Sequence, residues 1–215
     1  ENNAKWEQAL ALVAKMRQKG LRHNVVTYSV AISACEKGGC WQQALALLME
    51  MFLEEVEPNV ITYSATISAC ERGKEWERAL HLLAELQLSS LEANVVAYSS
   101  AVSACENSKK WQHALFCLAE MQLHGLNPNV LAYNSAISAC GKCCKWEIAL
   151  HLLGKMCQGA VALDTVTYNA AISALEMGKQ WEQALRLLDE MRNDATEPDV
   201  VTFDAAISAC EKGCQ

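Results

Sequence analysis

The side chains best suited to chemistry in this chain are its thiols and imidazoles. Cys140, Cys143 and Cys144 have metal-like spacing, and His151 follows on the next predicted helix. A closed zinc site takes four ligands, usually as two pairs, and no second pair of matching spacing is present. The cluster therefore reads as one core cysteine followed by two exposed turn cysteines. His23, His81, His113 and His124 share no constellation. His81 and His151 recur at one position, which fits a solvated helix face. There is no nucleophile elbow, phosphate loop or HExxH motif. Glu36, Glu71, Glu106, Glu176 and Glu211 recur at one step, and a catalytic acid has no reason to repeat in that way. The sequence predicts no catalytic residue, no metal, no cofactor and no small-molecule substrate.

These residues are placed by a strict repeat. Trp6, Trp41, Trp76, Trp111, Trp146 and Trp181 each stand 35 residues from the next. The series Tyr28, Tyr63, Tyr98, Tyr133, Tyr168 and Phe203 keeps that step, and so does Ile32, Ile67, Val102, Ile137, Ile172 and Ile207. A period of this size marks a solenoid of supersecondary units. Tyr28, Ile32 and Cys35 form one apolar stripe, predicting a first helix from Val25 to about Lys37 that ends at Gly38-Gly39. Ala44, Leu45, Leu48 and Met51 form a second stripe, predicting a helix from Trp41 to about Phe52 before Pro58 breaks the chain. The expected fold is all-α, an α-solenoid of helix-turn-helix repeats whose core runs lengthwise. The step gives a partial repeat over 1–24 (a second helix) and full repeats over 25–59, 60–94, 95–129, 130–164 and 165–199. A partial repeat over 200–215 (a first helix) follows, and the chain reads as a piece of a longer array.

Composition narrows the class. Hydrophobic residues make up 52% of the 215, with three prolines, which excludes a disordered segment. The apolar residues come in short packets, with no run long enough to span a membrane. Of eleven cysteines, Cys35, Cys70, Cys105, Cys140 and Cys210 share one repeat position as small core residues, with Leu175 the one departure. The others (Cys40, Cys117, Cys143, Cys144, Cys157 and Cys214) are scattered, which points to free thiols in a reducing compartment. The net charge of −7 is the wrong sign for a protein that depends on phosphate attraction alone.

The unit Val-Val-Thr-Tyr-Ser, then Ala-Ile-Ser-Ala-Cys-Glu-Lys-Gly, Ala-Leu, Met and a closing Glu-Pro-Asn resembles the pentatricopeptide repeat over essentially the whole chain. The resemblance implies a right-handed superhelix and single-stranded RNA as partner, with one base read per repeat. It assigns base reading to the residue after the tyrosine together with the last residue of the unit. Those pairs are Ser29 with Asn59, Ser64 with Asn94, Ser99 with Asn129, Asn134 with Asp164, and Asn169 with Asp199. The first three look like adenine readers and the last two like uracil readers, implying the target 5′-AAAUU-3′. Val26, Ile61, Val96, Leu131 and Val166 would sandwich the bases, and Lys37, Arg72, Lys142 and Lys212 would contact phosphate. Acids such as Glu50, Glu120 and Glu190 would lie on second helices, away from RNA.

Hydroxyl, amide and carboxylate groups can each pair with the edge of an unstacked base. The alternative reading of the same residues is that Ser and Asn cap the first helices, since both are good N-caps. For the whole protein the resemblance implies sequence-selective RNA binding in an organelle, chloroplast or mitochondrion, in transcript processing, stability or translation. The alternative is a non-catalytic adaptor binding protein subunits of an organelle assembly, such as a ribosome or a photosynthetic membrane complex.

Overall fold

The computed structural model describes residues 3–159 and 161–213. All its regular elements are helices: α1 (Asn3–Gln18), α2 (Val25–Gly38), α3 (Trp41–Leu53), α4 (Val60–Arg72), α5 (Trp76–Leu88) and α6 (Val95–Asn107). They continue with α7 (Trp111–Leu123), α8 (Val130–Lys142), α9 (Trp146–Gln158), α10 (Thr165–Met177), α11 (Trp181–Asn193) and α12 (Val200–Gly213). Among the described residues, no helix is long and apolar enough to cross a membrane. The chain divides into two compact units, Glu1–Ala104 and Cys105–Gln215, the division falling inside α6. In the first unit α2 packs on α1, α3 and α4, and α4 also packs on α3 and α5. In the second unit α8 packs on α7, α9 and α10, and α10 also packs on α9, α11 and α12. First helices stack on first helices with second helices alongside, the arrangement of a helix-turn-helix solenoid.

Local chemistry sets the helix starts. The side chains of Asn24, Asn59, Asn94, Asn129, Asp164 and Asp199 each accept a backbone N–H one turn into the helix that follows. Asn59 with Thr62 and Asp164 with Thr167 form reciprocal capping boxes. Second helices α3, α5, α7, α9 and α11 start at tryptophan with no side-chain cap bond. Gly39 ends α2 in the left-handed region at φ 70°. The same turn position is held by Lys74, Lys109, Cys144 and Lys179, also at positive φ. Glycine is therefore dispensable there. The turn is closed by a bond back across the last helical turn, as from Glu75 N to Cys70 O at 2.9 Å.

Packing departs from the sequence pattern in two places. Leu47, rather than Leu45, takes the buried place in α3, beside Ala44, Leu48 and Met51. First helices also bury far more than one stripe. In α4 every residue from Thr62 to Cys70 is buried, because α2, α3 and α5 cover it on several sides. Small residues make that closeness possible, and their hydroxyls are satisfied. Thr66 Oγ1 donates to Thr62 O at 2.7 Å, and the hydroxyls of Ser68 and Ser100 lie 2.7 Å apart. In α12 the corresponding apolar residues Phe203 and Ile207 are exposed, although α11 packs on that helix and Arg192 lies over the Phe203 ring.

Trp6, Trp41, Trp146 and Trp181 each press against a glycine at the end of the next first helix. A Cβ added to Gly73 would lie 2.2 Å from Trp41 Cδ1, and one added to Gly178 would lie 2.3 Å from Trp146 Cδ1. Gly38 against Trp6 and Gly213 against Trp181 repeat the contact. In the first unit the Arg78 guanidinium covers Trp41 at 4.7 Å from the ring centroid. We predict that Gly178→Ala lowers stability by about 1–3 kcal/mol, the usual cost of overpacking. Gly154→Ala, in α9 with no atom within 4 Å of the added carbon, should instead be neutral or stabilise by up to about 1 kcal/mol through helix propensity. Urea denaturation followed by circular dichroism separates the two.

Candidate nucleic-acid interface

The residues at the start of each first helix do two different jobs. Asn59, Asn94, Asn129, Asp164 and Asp199 are N-caps, so the capping reading holds for that half of each pair. Ser29, Ser64 and Ser99 lie inside the first turn and cap nothing. Their hydroxyls bond back to the carbonyls of Val25, Val60 and Val95 at 2.7, 2.6 and 2.7 Å. Asn134 and Asn169 occupy the same position in α8 and α10.

Within the two compact units the repeat brings Ser64 to Asn94, Asn134 to Asp164 and Asn169 to Asp199. Ser64 Oγ lies 3.1 Å from Asn94 Oδ1 in the first unit. In the second, Asn134 Nδ2 donates to Asp164 Oδ1 at 3.3 Å, and Asn169 Nδ2 donates to Asp199 Oδ1 at 3.0 Å. A threonine hydroxyl fixes each amide. Thr167 Oγ1 lies 2.7 Å from Asn134 Oδ1, and Thr202 Oγ1 lies 2.5 Å from Asn169 Oδ1. With the amide oxygen held and one amide hydrogen given to the aspartate, each asparagine keeps one further N–H to donate. Burial raises the Asp164 carboxyl, but the Thr167 hydroxyl and N–H and the Asn134 amide outweigh it, so its pKa is lowered. The Thr202 N–H and hydroxyl and the Asn169 amide lower Asp199 likewise. Both are ionised acceptors at neutral pH. No hydrogen bond joins Ser29 to Asn59, and Ser99 and Asn129 belong to different units.

Val26, Ile61, Val96, Leu131 and Val166 are all exposed, between 55% and 67%. An apolar residue that is exposed at one position of every unit does not serve the core. In the second unit Leu131, Val166 and Val201 line a single groove of about 660 Å³ with Asn134, Asn169 and Lys142. A smaller groove of about 440 Å³ in the first unit holds Ser29, Lys37 and Ile61.

Two members of the basic series are already paired with carboxylates. Lys142 Nζ pairs with Glu106 at 3.0 Å, and Lys212 Nζ with Glu176 at 2.7 Å. Lys37 and Arg72 are exposed, and Arg72 attracts the Glu36 carboxylate, whose pKa burial nevertheless raises. Glu106 and Glu176 thus each face the base of the following unit, while Glu36 feels both Arg72 and its own neighbour Lys37. Sequence reasoning missed this ladder, although its signal, a recurring Glu and a base 36 residues on, was present.

A second polar cluster was also missed. Buried His23 has Nε2 3.2 Å from Val13 O and Nδ1 3.3 Å from Glu54 Oε2, and Glu50 lies close by. These three are the only His, Cys or carboxylate group of metal-like geometry among the described residues. Arg17 already pairs with Glu50, and Tyr28 donates to it at 2.8 Å, so the acid is matched from within the chain. Burial, with carboxylate beside it, pushes the Tyr28 hydroxyl up to about 12. The available signal was that His23 stands where later units carry Pro58, Pro128 and Pro198. The thiols of Cys140, Cys143 and Cys144 grade from buried to exposed, and Cys143 Sγ donates to Lys109 O at 3.2 Å. Cys214 lies outside the described residues.

Comparison with known proteins follows this geometry. The family model described as a pentatricopeptide repeat domain matches residues 5–72 and 81–143. The model of the PPR repeat family matches 128–176 and 163–212, and that of the PPR repeat matches 61–91. No curated protein matches in sequence. Among solved structures, the pentatricopeptide repeat protein PPR10 in complex with an 18-nt psaJ RNA element is 25% identical with a TM-score of 0.73. That match covers 98% of this chain and 30% of PPR10, so this chain spans under a third of that relative's length. The PPR domain of Arabidopsis thaliana protein-only RNase P 1, in complex with tRNA, gives a TM-score of 0.73 at 15% identity. There 84% of this chain and 95% of that one are covered. Nuclear proteinaceous RNase P 2 of A. thaliana gives 0.77 at 15% identity over 89% of this chain and 43% of its own.

The double duty of Asp164 gives a test that needs no ligand. Asp164→Ala should cost about 1 kcal/mol, the usual worth of an N-cap, while Asp164→Asn keeps most of it. A carboxyl whose folded pKa is lowered stabilises fully above its unfolded value and loses that contribution as pH falls through the folded value. Any advantage of the parent over Asp164→Asn should therefore vanish as pH drops below the ordinary carboxylate range, measured by urea midpoints across a pH series.

Proposed function

We propose that this chain, which belongs to the pentatricopeptide repeat family, binds single-stranded RNA, one base per unit, with 5′-AAAUU-3′ as its preferred sequence. The observation that carries the reading is the groove of the second unit. It is lined by exposed Leu131, Val166 and Val201 together with Asn134 and Asn169, whose amide oxygens are held by threonine hydroxyls, and by Lys142. An apolar residue on each side can hold a base by its faces, while the amide and carboxylate meet its edge. Uracil presents an N–H between two carbonyls. Ionised Asp164 can accept the N–H, and the second amide hydrogen of Asn134 can be given to a carbonyl. Adenine reverses part of that pattern, which suits the hydroxyl and amide of Ser64 and Asn94. PPR10 solved with an RNA element and the RNase P 1 PPR domain solved with tRNA support RNA as the ligand class. The segment binds without performing chemistry in this reading, and its place is an organelle transcript.

The test is fluorescence anisotropy with an RNA containing AAAUU against a scrambled RNA of equal composition, at two salt concentrations. Selective binding that salt weakens is expected. Asn134→Ser should shift that unit's preference from uracil toward guanine, and an unchanged preference would sink the base-reading assignment.

One observation favours a protein ligand as a second reading. In the first unit exposed Met49 and Phe52, with Leu45 and Leu82, line an apolar groove between second helices. An adaptor role predicts co-purifying protein subunits that survive nuclease treatment, whereas loss of the complex on RNA digestion would count against it.

A further inference from the structure

One of the acids that face the basic series, Glu106, lies in the same groove as the proposed base readers Asn134 and Asn169. Glu106 and Lys142 both line it, with Glu106 Oε1 3.0 Å from Lys142 Nζ. Glu176 Oε1 lies 2.7 Å from Lys212 Nζ and also accepts the Ser208 hydroxyl at 2.7 Å. The carboxylates sit deep and the ammonium groups shallow. The side chains of Glu106 and Glu176 are 20% and 19% exposed, against 41% and 43% for Lys142 and Lys212. Lys142 thus lines the groove while Glu106 neutralises it from a less exposed position, and Lys212 and Glu176 repeat that difference in exposure. In α8 and α10 the two charges also disappear together. Gly141 stands where the acid would be, and Met177, 36 residues on, stands where its base would be.

We propose that Glu106 and Glu176 limit the sequence-independent part of RNA affinity, because each holds the phosphate-facing lysine of the following unit in an ion pair that the RNA backbone must displace. The inference rests on the RNA reading above. Phosphate contacts position a nucleic acid and raise affinity for every sequence alike, whereas base contacts discriminate. A lysine already neutralised brings little counterion release when phosphate arrives. An array built this way draws a larger share of its affinity from the bases, and its net charge of −7 becomes part of its selectivity.

Glutamine keeps the shape of glutamate and an oxygen for the lysine, and removes only the charge. The double variant Glu106→Gln/Glu176→Gln should bind the AAAUU RNA and the scrambled RNA more tightly by similar factors. About threefold per substitution is expected from the usual worth of exposed ion pairs. The slope of log affinity against log salt should steepen by about 0.7 for each freed lysine, the value for single strands. The variant Glu106→Gln/Lys142→Met, which copies the Gly141 and Met177 step, should lose both gains at that unit. Glu106→Gln alone provides a smaller perturbation, and circular dichroism melts confirm that each variant is folded. Equal affinity and equal slope in the parent and the double variant, with RNA bound by both, overturn this proposal and leave the RNA reading intact. A gain confined to the AAAUU RNA also overturns it, since that would place the acids in base recognition. Binding of neither RNA by either chain at low salt overturns the RNA reading, and this proposal with it.

Discussion

The contact on which the rest depends is a tryptophan indole pressed against a glycine of the next first helix. Trp41 meets Gly73 in the first unit, and Trp146 meets Gly178 and Trp181 meets Gly213 in the second. The indole opens a second helix that has no side-chain cap, so packing rather than hydrogen bonding fixes where that helix begins. The glycine closes the distance because any Cβ there would overlap the ring. One large apolar body and one missing side chain therefore set the spacing between neighbouring units. Where the glycine is replaced, the fit is made differently. Cys143 carries a side chain, and its thiol donates to the Lys109 carbonyl.

That spacing decides which atoms can meet. Interior first helices are covered nearly all round, as α4 is from Thr62 to Cys70, so their side chains are small and their hydroxyls bond internally. What reaches the surface is the first turn. There the cap of one unit arrives beside the residue after the tyrosine of the unit before, as Asp164 does beside Asn134. The cap that starts the helix is also the atom that would read a base, so stability and recognition share a residue. The same stacking lays exposed Leu131, Val166 and Val201 along one groove at a regular step. Regular spacing of this kind suits a ligand that is itself a polymer.

Electrostatics follows the same step. Lys142 and Lys212 are held by Glu106 and Glu176 across neighbouring units rather than by the residues beside them in sequence. The acidic balance of the chain is thus not simply a coat on the second helices, since part of it reaches the groove wall. At the other end of the first unit, Arg17, Glu50, Tyr28 and His23 tie α1, α2 and α3 through matched charges and hydrogen bonds. Such a cluster holds its elements in register, because removing one partner would leave another buried and unsatisfied.

Periodicity determined much by itself. A tryptophan every 35 residues, two apolar stripes per step and a proline before several caps dictate paired helices that must stack, since neither stripe can be buried within one pair. The residues of the proposed interface could likewise be placed, because a recurring polar residue at one step must recur on one face. Only the tertiary structure decided which of them touch. Pairing Asn134 with Asp164, or Lys212 with Glu176, depends on the distance between neighbouring first helices, which the tryptophan and glycine set and no local rule encodes. It also decided that α4 is buried from Thr62 to Cys70, and that Lys74 and Cys144 accept a left-handed turn where Gly39 led one to expect glycine. His23 was legible as a departure from the repeat, but not as a partner of Glu54, because that contact joins residues 31 apart in sequence through packing alone.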